Sequence, residues 1–197
     1  MKSNNDKINV IFSRKGNFVM EKRYQIFISS TYADLIDERK EIMEAILSLN
    51  CFPAGMEMFP ATNMEQFEYI KKVIDMSDYY VLVIAGRYGS LAKDGISYTE
   101  KEYNYAKRKK IPILAFIYED IEKLPLSKVD KNMDKLEKFR NKVKRNRVVK
   151  FWSNASELKY MIHDSLLSEF ELNPREGWIK NYQPQTQYKN LENNKKK

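Results

Sequence analysis

Tyr79-Tyr80-Val81-Leu82-Val83-Ile84-Ala85 is an unbroken apolar run rich in β-branched and aromatic residues, closed at once by Gly86-Arg87-Tyr88-Gly89-Ser90. A strand with one wet face alternates polar and apolar positions. A run with no polar position has no wet face, and its length suits a strand rather than a helix, so it belongs in a parallel sheet covered on both sides. Working outward, Tyr24 to Ser29, Ile111 to Ile117 and Val148 to Trp152 read as further strands, and Ala54 to Phe59 as a weaker one after Pro53. Helical spacing lies between them. Leu35, Ile42, Ile46 and Leu49 form one stripe, with Thr31 and Asp34 placed as a capping box ahead of it. Phe67, Ile70 and Ile74 form the next, capped by Asn63. Helices are also expected over about 97–109 and 131–144, and Leu158, Ile162, Leu166 and Phe170 mark a closing helix. Alternating strands and helices with short connections predict an α/β, doubly wound parallel sheet of about five strands.

The 197 residues allow one such domain with appended ends, and a chain that is 43% hydrophobic and 13% aromatic can build its core. Residues 1–22 read as an N-terminal extension, 23–173 as the domain and 174–197 as a polar, flexible tail. Arg14-Lys15-Gly16 fits a purine-rich, ribosome-binding-like coding stretch a few codons ahead of Met20, so Met20 rather than Met1 is the expected natural start. No apolar run approaches the roughly 20 residues that span a bilayer, and the N-terminus lacks a secretory apolar core. The single Cys51 excludes an internal disulfide framework and fits a reducing, cytoplasmic setting.

The net charge of +8 sits largely in Lys107 to Lys110, in 128–147 and in Lys195 to Lys197. The middle stretch also carries Asp130, Asp134 and Glu137, as a solvated helix face does. Without a groove-reading motif, basic charge alone does not specify nucleic acid, which is not an expected partner. The lone histidine, His163, has no cysteine partner for a metal centre and no serine pattern for a triad, and reads as a surface or interface residue. No phosphate-binding Gly-x-x-x-x-Gly-Lys-Ser/Thr loop is present.

Open α/β sheets bind ligands outside the carboxyl ends of their strands, where the strand order reverses. The polar residues of this chain gather there. Ser29, Ser30 and Thr31 offer hydroxyls and helix N-terminal N–H groups to an anion, though Thr31 can equally just cap. Arg87 is placed to grip phosphate, or else to pair with Glu57 or Asp94. Glu57 can accept from ribose hydroxyls or neutralise Arg87. Tyr88 can stack on a base or pack in the core. Two capping patterns overlap in Ser97-Tyr98-Thr99-Glu100-Lys101-Glu102. If the helix starts at Ser97, Glu100 serves the cap and Glu102 is free on one face with Ala106. If it starts at Thr99, Glu102 is the cap.

At these residues the chain resembles a TIR-like domain. Tyr24-Gln25-Ile26-Phe27-Ile28-Ser29 is similar to the first TIR box, with Gln25 where an aspartate is usual. The nearer likeness is to an uncharacterised family within the TIR-like group, found alone in bacteria and ahead of NACHT-type signalling ATPases. Its motifs appear here as Phe27 to Arg39, Gly55 to Phe59, Gly86 to Ser90 and Ser97 to Tyr103. The resemblance implies a flavodoxin-like sheet. It also implies a nucleotide ligand, NAD or a derivative as substrate rather than resident cofactor, whose N-glycosidic bond is cleaved or rearranged in prokaryotic defence signalling. Glu102 takes the place of the TIR glutamate that stabilises the ribosyl cation, and in that reading Arg87 would hold phosphate while Ser29 to Thr31 frame the anion pocket. The usual Trp-Cys pair is replaced by Tyr98-Thr99. The same group implies two further readings: a non-enzymatic module assembling with its own kind or with an ATPase, and a nucleoside deoxyribosyltransferase-like enzyme. The latter places its glutamate four residues before an alanine, as Glu102 and Ala106 stand, and needs Glu57 as a second acid.

Overall fold

The computed structural model describes residues 10–12, 19–58, 65–145 and 147–180. Its strands are β1 (Val10–Phe12), β2 (Val19–Arg23), β3 (Gln25–Ser29), β4 (Phe52–Ala54), β5 (Tyr79–Ile84), β6 (Ile113–Tyr118), β7 (Val149–Trp152) and β8 (Trp178–Ile179). The helices are α1 (Ile36–Ser48), α2 (Gln66–Asp75), α3 (Tyr98–Arg108), α4 (Asp134–Lys144) and α5 (Ala155–Leu172). Strands β3 to β7 make one parallel sheet in the order β4-β3-β5-β6-β7, the doubly wound, flavodoxin-like arrangement. The apolar run at 79–84 is its central strand, buried along its whole length.

Successive side chains of a strand point to opposite faces, and both faces here are covered. Ile26, Ile28, Val81 and Val83 pack under α1 and α5, which contribute Ile42, Ile46, Leu158, Ile162 and Leu166. Phe27, Tyr80, Leu82 and Ile84 pack under α2, α3 and α4, which contribute Ile74, Tyr103, Ala106, Leu136 and Phe139. No polar residue could stand in β5 without being buried on one face or the other, which is why its sequence shows no alternation.

Several expected boundaries move. The weak strand is Phe52–Ala54 rather than 54–59. Residues 56–58 form a single 3₁₀ turn, and Phe59 and the expected cap Asn63 lie outside the described residues. Thr31 does not cap α1: that helix starts at Ile36 after Leu35, with no side-chain cap, because the turn at Tyr32 to Asp34 shifts its first residue along.

The ends of the chain also differ from expectation. Instead of fraying from 174 onward, the tail pairs with the extension at Trp178 and Ile179: β1, β2 and β8 form a second, antiparallel sheet, with Lys22 opposite Ile179 and Arg23 opposite Trp178. Met20 lies inside β2, opposite Ile11. The returning segment is tied to the amino end of the main sheet. Tyr79 Oη donates to the Asn173 carbonyl at 2.8 Å, and Gly177 N–H donates to Asp78 at 3.1 Å. Gly177 makes this turn at φ +65°, a region open to glycine at little steric expense. Residues 181–197 lie outside the described residues. No helix among those described is long and apolar enough to cross a membrane.

Candidate functional site

In the order β4-β3-β5-β6-β7 the connections reverse direction between β3 and β5, leaving a crevice over their carboxyl ends. A cleft of about 470 Å³ lies there. Ser30, Thr31 and Asp34 after β3 form one wall, Arg87, Gly89 and Ser90 after β5 another, and Tyr98, Thr99 and Glu102 of α3 a third; Met56 and Ile70 add apolar surface.

The two overlapping capping patterns of α3 are resolved in favour of Ser97. Its Oγ accepts from Glu100 N–H at 3.2 Å as the N-cap of the helix. The Glu100 carboxylate is itself committed, accepting from Tyr88 Oη at 2.6 Å and from Lys142 Nζ at 2.8 Å. Glu102 is therefore not needed at the helix terminus. One half-turn further in, it lies beside the cleft and accepts from Ser29 Oγ at 2.5 Å. Burial pushes the Glu102 carboxyl up to about 7, against the opposing pull of the Ser29 hydroxyl and the positive charge of Arg39. Near neutral pH it is poised between its two forms, a property found at sites of proton transfer and charge stabilisation.

Beneath the cleft lies a charge pair that the sequence reading missed. Arg39 of α1 is only 2% exposed. Its guanidinium grips Glu57 through two hydrogen bonds, Nη2 at 2.5 Å and Nε at 3.2 Å, and gives the third, from Nη1, to Ser30 Oγ at 2.7 Å. Gly55 makes room for the pair, since a Cβ there would come within 2.6 Å of both Arg39 Nη2 and Glu57 Oε2. Asp34, also passed over as a site residue, is buried in the cleft wall. Neither of its oxygens completes a hydrogen bond. Burial raises its carboxyl above the usual range, offset in part by Thr31 and by the charges of Arg87 and Lys128.

The structure thus brings Ser30, Thr31, Arg87 and Glu102 to one cleft and uses the other candidates elsewhere. Ser29, 1% exposed, faces Glu102 rather than a ligand. Glu57 is held by Arg39, not by Arg87. Arg87 reaches neither expected acid: its Nη2 donates to the Ser127 carbonyl at 2.5 Å, while Asp94 takes Lys101 at 2.9 Å. The Tyr88 ring turns into the core edge-on to Phe139, and its N–H donates to Asp130 at 2.7 Å. His163 is half-buried on α5. Residues 25–167 match the model of a domain of unknown function, DUF4062. The chain belongs to the DUF4062 family. The DUF4062 match begins at the first residue of β3 and ends within α5, so it covers the parallel sheet and its cleft and leaves out β1, β2 and β8. No curated protein matches the chain.

The sequence did hold a signal for the missed pair. Arg39 and Asp34 both fall inside the motif Phe27 to Arg39, and a helix rarely buries an arginine without a partner. What the sequence did not say was that the partner lies 18 residues away.

Proposed function

We propose that this chain is a TIR-like nucleotide-binding enzyme that cleaves or rearranges the N-glycosidic bond of NAD or a related nucleotide, acting in prokaryotic defence signalling. One observation carries the reading: Glu102, spared from capping by Ser97, stands at the switch-point cleft with its carboxyl raised to about 7 by burial. When the bond between ribose C1′ and the nicotinamide nitrogen breaks, its electron pair leaves with the nitrogen and nicotinamide departs neutral. The ribosyl group is left as an oxocarbenium ion. A carboxylate beside C1′ stabilises that charge, which is present in the transition state and absent from the ground state. Water, or a hydroxyl of the same ligand, then adds at C1′ and sheds a proton. Arg87 on the facing wall supplies a cation suited to the pyrophosphate.

The deoxyribosyltransferase-like reading is weaker, since Glu57, its second acid, is committed to Arg39 and does not line the cleft. The test is to incubate the protein at high concentration with NAD and follow nicotinamide release, with Glu102→Gln as the control. Release by wild type and its loss in the variant are expected. No release at any protein concentration would replace this reading with that of an assembly module for like domains or a signalling ATPase.

A further inference from the structure

We propose that Ser29 is the positioning residue for Glu102: its hydroxyl occupies Oε2, so that Oε1 is the one carboxylate oxygen presented to a ligand in the cleft. The inference rests on the reading of Glu102 as the group that meets substrate.

Ser29 is the last residue of β3, paired with Leu82 of the central strand and 1% exposed. It does not line the cleft and cannot touch a ligand there. Its hydroxyl has one acceptor, Glu102 Oε2, at 2.5 Å. Oε1 makes no hydrogen bond within the described residues and is not among their enclosed polar atoms, so it is the oxygen open to the cleft. A glutamate has three rotatable side-chain bonds, and without an anchor its carboxylate would sample many orientations. An anchor on a central strand fixes it better than one on a loop would, because ladder pairing on a buried strand leaves the backbone little freedom.

The backbone on both sides of the anchor is also held. The next residue, Ser30, receives Arg39 Nη1 at 2.7 Å and donates to the Thr31 carbonyl at 2.7 Å, and Arg39 is locked in turn by Glu57. Adjacent serines thus divide the work: Ser29 orients the carboxylate, and Ser30 joins the strand end to the buried Arg39. The ionisable groups facing Glu102 are Arg39 from α1, which favours its charged form, and Tyr80 from β5, whose enclosed hydroxyl also lies beside Ser29. A hydroxyl donating to Oε2 likewise favours the carboxylate, and its removal leaves burial less opposed.

The test is ¹³C-carboxyl NMR titration of Glu102 in the full chain, with the resonance assigned by its absence in Glu102→Gln. Wild type is expected to titrate near pH 7. Ser29→Ala should move the midpoint upward by about one pH unit, the scale of a hydrogen bond to a charged group. Ser29→Thr keeps the hydroxyl and should restore the midpoint. Ser29→Cys, with a weaker donor, should fall between and serves if the alanine variant folds poorly. The acid limb of any NAD turnover should follow the same order. An unchanged midpoint in folded Ser29→Ala or Ser29→Cys overturns the positioning role. Shifted midpoints with no NAD turnover in wild type would keep that role and remove the enzymatic reading instead.

Discussion

The two ends of the β3–β5 pair are built from similar polar residues and use them in opposite ways. At the amino end the groups are tied to one another. Asp78 accepts from the N–H groups of Gln25 and Gly177, and the Gln25 amide reaches Ser77 Oγ and the Val73 carbonyl. At the carboxyl end, Asp34, Thr31 and the Arg87 Nε are enclosed without hydrogen bonds, and Glu102 is held far from its ordinary ionisation range. Buried polar groups are normally satisfied, and exceptions gather where a protein does something other than hold itself together. Polarity at the amino end stabilises the fold. At the carboxyl end much of it opposes folding.

Four substitutions test that contrast. Arg39→Ala should have the largest effect, about 3–5 kcal/mol of lost stability by denaturant unfolding, because it empties the space of a side chain only 2% exposed and takes the hydrogen bonds from Glu57 and Ser30. A loss under about 1 kcal/mol would mean that the pair is surface-like. Glu102→Gln should act in the other direction. The folded-state value of about 7 lies above the ordinary 4.5. Wild type therefore keeps its full stability below about pH 4.5 and loses the Glu102 share as pH rises through 7. The glutamine variant has no such loss, so it should exceed wild type by on the order of 2–3 kcal/mol at pH 8 and match it at pH 4. Equal stability at both pH values would place the carboxyl in water.

Asp78→Ala at the other end should cost about 2 kcal/mol through its orphaned N–H groups, and should leave the Glu102 titration where it was. A moved titration would show that the two ends are coupled. Asp34→Asn should have the smallest effect, a gain of up to about 1 kcal/mol at pH 8 from removing a buried carboxylate whose desolvation the charges of Arg87 and Lys128 only partly offset, fading as the solution is acidified. Marked destabilisation would reveal a partner for Asp34 within the fold.

The regions were also unequally legible in the sequence. Tyr79 to Ala85 could be placed because burial on both faces imprints a local pattern that seven consecutive residues display. The freedom of Glu102 was half visible: the overlapping patterns at Ser97 and Thr99 posed the choice, and only the position of the helix start decides it. The Arg39–Glu57 pair joins α1 to the turn after β4, 18 residues away, and no periodicity encodes such a contact. Thr31 misled because a cap motif is local while the turn at Tyr32 to Asp34 displaces the helix it would have capped. Trp178 and Ile179 were read as tail because two exposed residues carry too little pattern to announce a strand.

That last strand bears on how the domain can be linked to others. Lys22 and Arg23 lie directly across a ladder from Ile179 and Trp178, so the chain enters and leaves the α/β unit through neighbouring strands about 5 Å apart. A unit with adjoining entry and exit points can be spliced into a longer polypeptide as a cassette, because its host needs to part by only the width of one ladder. Both attachment points lie near the amino end of the parallel sheet, where Asn173 and Gly177 are fastened to Tyr79 and Asp78. The attachment points and the cleft thus stand at opposite poles of the parallel sheet.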